Sequence, residues 1–118
     1  MRIKKFNINE NEYSFVCEAW SNNRSWGHKV NLFRNNYEIA EAKIRYYNRT
    51  WENYEFQSTM LKAINIVEEK HRLLELEYYR AKTGRKRLKQ EEKEEIYKNS
   101  KQLQELQELK EKVRGRVW

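Results

Sequence analysis

A chain of 118 residues with 38% apolar content can bury one modest core, and four Trp, eight Tyr and four Phe are too many rings for a disordered tail. The net charge of +7 favours an acidic partner such as nucleic acid, an acidic protein groove or an anionic membrane surface. A single cysteine, Cys17, excludes an internal disulfide; the N-terminus lacks the apolar run of a secretory signal, and no stretch approaches the roughly 18 apolar residues of a membrane span, so a cytoplasmic protein with no membrane partner is expected.

The first half alternates. The run "RIKKFNI" before "NENE" predicts a weak first strand, and "EYSFVCEAW" a stronger one, with Tyr13, Phe15, Cys17 and Ala19 on one face. In "SWGHKVNLF" the residues Trp26, His28, Val30 and Leu32 share a face, and "SNNRS" supplies the Asn and Ser of a hairpin loop between the two. After the turn "RNNY", "EIAEAKIRYY" sets Ala40, Ala42, Ile44 and Tyr46 against Glu41, Lys43, Arg45 and Tyr47. Residues 1–48 therefore predict an antiparallel β-meander of three or four strands, apolar on one face and wet on the other.

The second half, residues 49–118, predicts the lid that such a sheet needs. Phe56, Met60, Ile64, Val67, His71, Leu74 and Tyr78 fall at helical spacing, with Leu61, Ile66, Leu73 and Leu76 widening the seam. Thr50 is the expected N-cap, with Glu52 in the first turn, and Gly84 is the expected left-handed stop. Such a helix outruns a small sheet. Beyond it, "QEEKEEIYKNSKQLQELQELKEKV" reads as one further helix with a thin stripe of Ile96, Leu103, Leu106, Leu109 and Val113. That stripe fits either an antiparallel hairpin folded back across Gly84 or a homodimer through the C-terminal helix, and the exposed ring expected of Trp118 adds to the second. The fold class is α+β: one domain carrying a projecting helical arm.

The inventory argues against catalysis. There is no Asp to build the acidic cluster of a phosphodiesterase metal site, two histidines and one cysteine give no zinc pattern, and three glycines form no phosphate loop. His71, on an apolar seam, reads as a core histidine. No enzyme activity, metal or cofactor is expected.

Two clusters suit an anionic ligand. In "YRAKTGRKRLKQ" the cations Arg80, Lys82, Arg85, Lys86, Arg87 and Lys89 are uninterrupted by any acid, which fits a phosphate clamp at the bend, or a solvated tip whose charges suit a helix C-terminus. In "YYNRTWENYEFQ" the residues Arg45, Tyr47 and Arg49 suit stacking and phosphate contact, or Arg49 pairs with Glu52 and locks the joint between strand and helix. Tyr46 and Phe56 are the rings expected in the core, with Trp51 and Tyr54 open to either role.

"YYNRTWENYEFQSTMLKAI", preceded by "NLFRNNYEIAEAKIR", resembles a motif of small uncharacterised proteins of phages and mobile elements of low-GC Gram-positive bacteria; the resemblance covers roughly residues 31–64 and leaves out the arm from Glu68 to Trp118. It implies an accessory protein acting in a bacterial host cell on DNA transactions or host defence, anti-CRISPR inhibition included. The partner so implied is a host protein or protein–nucleic-acid complex; the alternative is stand-alone, sequence-tolerant binding of DNA or RNA. A +7 chain is a poor imitation of a phosphate backbone, so inhibition by DNA mimicry is not expected.

Overall fold

The computed structural model describes residues 1–46 and 55–115, with backbone alone at Tyr46 and Glu55. Four strands, β1 (Arg2–Ile8), β2 (Asn11–Ser21), β3 (Trp26–Arg34) and β4 (Tyr37–Tyr46), form an antiparallel sheet in sequence order. Asparagine makes all three turns. The β1–β2 hairpin needs a positive φ at Asn9, and the two-residue β3–β4 turn holds Asn35 and Asn36 at φ 50° and 71°, the double left-handed geometry of a type I′ turn. Between β2 and β3, Asn22 Oδ1 accepts from the backbone N–H of Arg24 and Ser25 at 3.0 and 2.8 Å, an Asx turn.

The period-two faces are those expected. Phe6, Ile8, Tyr13, Phe15, Cys17, His28, Val30, Leu32, Ala40 and Ala42 are buried on one side of the sheet. Helix α1 (Glu55–Thr83) covers that side with Phe56, Met60, Ala63, Ile64 and Val67, and Phe56 stacks on His28 with ring centroids 4.0 Å apart. Its last turn closes through Gly84, at φ +73°, whose N–H donates to Arg80 O at 2.8 Å.

The C-terminal run departs from expectation. It is two helices, α2 (Gln90–Asn99) and α3 (Lys101–Gly115), broken at Ser100. Buried there, Ser100 donates its hydroxyl to Glu75 Oε1 at 3.1 Å and accepts from the N–H of Leu103 at 3.4 Å, so it caps α3 while tying it to α1. The break lets α3 turn onto the sheet. Leu103, Leu106, Leu109 and Val113 are at most 7% exposed and join one cluster with Tyr13, Phe15 and Val67. Of the two readings of the stripe, the fold-back onto α1 is the one seen: these four side chains lie in the core of the molecule.

Helix α3 runs antiparallel to α1. Gln57 Nε2 donates to Val113 O at 2.8 Å at one end, and Ser100 meets Glu75 at the other. Between them Lys110 Nζ lies 2.6 Å from Glu68 Oε2. The last turns of α1 and the start of α2, which buries no residue fully, project as an arm, while Tyr97 near the end of α2 packs against the core.

Candidate functional site

Among the described residues no group of three His, Cys or Glu could hold a metal ion. Cys17 is fully buried, and burial pushes its thiol up to about 12, so it is no nucleophile near neutral pH. His71 is half-buried beside Arg34, and burial first, then that guanidinium, hold its imidazole below the usual histidine range.

The basic bend stands at the end of the arm. Thr83 donates its hydroxyl to Tyr79 O at 2.8 Å, Gly84 reverses the chain, and α2 starts at Gln90. The cations divide into two kinds. Arg85 binds Glu92 through both terminal nitrogens, at 2.6 and 3.0 Å, a bidentate clasp that fixes the bend on the start of α2. Arg80 is half-buried on the flank of α1. Lys82, Lys86, Arg87 and Lys89 are exposed and form no ion pair among the described residues. The set of exposed cations without an ion pair among the described residues is therefore narrower than the sequence suggests, and Arg85 belongs to the scaffold. Its partner lies seven residues downstream across a turn, a spacing that no helical pairing rule points to.

The two expected patches do not form one site. Arg45 lies on the outer, helix-free face of the sheet, where Trp20, Gly27 and Arg45 stand abreast on β2, β3 and β4. Gly27 is required there: a Cβ would come within 2.1 Å of Ile44 O and 2.6 Å of the Trp20 ring. The guanidinium of Arg45 sits 5.6 Å from the centre of that indole, a cation–π contact closing the row. Lys29 and Lys43 share this face but are drawn to Glu41, each at 3.8 Å. From the level of Phe56, beside this end of the sheet, to Arg80 is about 36 Å of helix. Arg45 and the bend are at opposite ends of α1. Tyr47, Arg49, Thr50, Trp51, Glu52, Tyr54, the side chain of Tyr46 and Trp118 lie outside the described residues.

A cleft of about 650 Å³ separates the end of α1 from α2, lined among others by Glu75, Tyr78, Tyr79, Lys82, Glu91 and Glu95. Its carboxylates repel phosphate. Lys86, Arg87 and Lys89 are exposed and do not line this cleft, so the surface of the bend open to an anion is the one they form.

Comparison with protein-family models, curated proteins and solved structures finds no match for this chain. No described helix is long and apolar enough to cross a membrane.

Proposed function

We propose that this chain is a non-enzymatic accessory protein, of phage or mobile-element kind, that sets the basic tip of its arm against the phosphates of a nucleic acid held by a host processing or defence complex. The observation that carries the reading is the tip itself. Lys86, Arg87 and Lys89 are exposed, have no anionic partner among the described residues, and are held on a bend closed by Gly84 and the Arg85–Glu92 clasp. A convex basic projection suits insertion into a groove already lined by phosphate, whereas enclosing a strand calls for a concave channel. The phage-type origin, with anti-CRISPR-like inhibition as its form, rests on the resemblance of residues 31–64 alone.

Affinity purification from a bacterial host, with and without nuclease, tests the reading. Recovery of one stoichiometric host complex whose capture weakens on nuclease treatment supports it. Nucleic acid recovered without a host protein turns it into stand-alone, sequence-tolerant binding. Capture that ignores both nuclease and charge reversal at Lys86 and Arg87 overturns the role of the tip.

A further inference from the structure

The apolar seam of α1 outruns the sheet. His71 feels the charge of Arg34, the last residue of β3, and beyond that level the helix has no sheet beneath it. Leu73, Leu74 and Tyr78 are 61%, 50% and 68% exposed, and Ile66, on the flank of the helix, is 41% exposed. Lys62, one turn before Ile66, donates to Lys43 O on the β4 edge, so this flank starts beside the sheet and continues along the arm. Isolated exposed leucines need no explanation, but a stripe of them on the longest helix does.

The order of residues along the stripe identifies its occupant. Ile66, Lys70, Leu73, Leu74, Glu77 and Ala81 share one helical face, separated by four, three, one, three and four residues. That spacing reads the same in both directions. An antiparallel copy centred between Leu73 and Leu74 sets leucine on leucine at the axis, Lys70 against Glu77 on both sides of it, and Ile66 against Ala81 at each end. Lys70 and Glu77 are exposed and form no ion pair among the described residues; seven residues apart on one helix, they are too far to satisfy each other. A parallel copy would stack lysine on lysine and glutamate on glutamate.

We infer that α1 is a self-association surface, pairing antiparallel with α1 of a second copy of this chain through Leu73, Leu74 and the reciprocal Lys70–Glu77 contacts. The isologous geometry is the commonest in homodimers, and residues Ile66 to Ala81 supply it without disturbing the core. The exposed parts of Ile66, Leu73 and Leu74 present well under half of the roughly 800 Å² that each partner in a standard stable interface buries. The dimer therefore forms in the upper micromolar range and dissociates on dilution. It leaves the two tips about 30 Å apart along the paired helices, so, resting on the function proposed above, one dimer touches a nucleic acid at two places.

Sedimentation velocity of the full chain without nucleic acid, from low micromolar to several hundred micromolar, tests the pairing independently of the tip. The 14.7 kDa species should give way to one of twice that mass as concentration rises. Leu73→Glu, at an exposed position, should keep the helical circular dichroism spectrum and remain monomeric. Lys70→Glu and Glu77→Lys should each weaken association roughly tenfold, and the double exchange should restore it, a rescue that only the antiparallel register provides. A monomer mass throughout the range assigns the stripe to a different partner and overturns the inference, as does a dimer indifferent to Leu73→Glu or one not rescued by the double exchange.

Discussion

Glu68 and Lys110 meet at 2.6 Å with both side chains about nine-tenths buried, joining the middle of α1 to α3. The pair is unequal, because Glu68 also accepts from Arg72 at 2.8 Å whereas Lys110 has no second carboxylate among the described residues. Removing the glutamate strands a buried ammonium; removing the lysine leaves the carboxylate with a guanidinium. Glu68→Ala should cost about 3 kcal/mol in urea unfolding, within the range for one-sided loss of a buried pair, and Lys110→Ala distinctly less. Equal losses would show that Arg72 does not compensate.

Alkaline conditions should loosen the sheet before the arm. Burial first, and then the hydrogen bond that Tyr13 donates to Glu105 at 2.9 Å, push the Tyr13 phenol up to about 12, while burial pushes the Cys17 thiol up to about 12. Both groups hold their protons more tightly in the folded chain. Their stabilisation is complete below the unfolded values, 9.0 for the thiol and 10.0 for the phenol, and is lost as pH rises toward about 12. Urea midpoints should fall across that window, and Tyr13→Phe should flatten the fall above pH 10. His71 works at the other end: its lowered pKa gives stability that is present above its ordinary 6.5 and declines as pH drops through that value.

Where a residue's role follows from local chemistry, the sequence was legible. The alternation of Tyr13, Phe15 and Cys17 places them inside, the Asn35–Asn36 pair makes its turn, and Gly84 stops α1 in the left-handed conformation. What failed was set by tertiary partners. "YKNSKQLQEL" contains no glycine or proline, and the bond from Ser100 to Glu75, across from α1, breaks it. The helical seam through Leu74 and Tyr78 is real, yet periodicity carries no information about where a sheet ends. Arg85 counted as a free cation because sequence spacing cannot show a clasp across a turn.

Two of the three glycines should respond differently to alanine. At Gly27 the added methyl would meet the Ile44 carbonyl oxygen at 2.1 Å, a backbone atom that cannot swing aside, and the Trp20 ring at 2.6 Å. Gly27→Ala should therefore cost roughly 3 kcal/mol, at the upper end of overpacking, and red-shift tryptophan emission, because the Trp20 indole is lifted off the strand toward water. Gly84 has open space around its Cβ position and only its φ of +73° to defend. Gly84→Ala should cost about 1 kcal/mol. Thermal unfolding of the two variants separates steric from conformational cost, and a Gly27 variant as mild as the Gly84 one would refute the close packing of Trp20.

The tip makes the sharpest demand. If Lys86, Arg87 and Lys89 each displace a counterion from duplex DNA, log K should fall with log salt at a slope of about −2.7, because each phosphate contact contributes about 0.9. Lys86→Glu with Arg87→Glu removes two of those contacts and should bring the slope to about −0.9 or abolish binding, while leaving stability to urea within about 0.5 kcal/mol of the parent, since both side chains are exposed. Arg85→Glu should behave in the opposite way. It opposes Glu92 with a second carboxylate where a bidentate clasp stood at 2.6 and 3.0 Å, so it should loosen the bend, and Arg85→Glu combined with Glu92→Arg should recover much of the lost binding. Mobility shifts over a salt series distinguish the two kinds of residue: a contact residue changes the slope and resists rescue by its neighbour, whereas a scaffold residue is rescued by exchange with its partner. Identical slopes for the parent and the Lys86, Arg87 variant would remove the tip from phosphate contact.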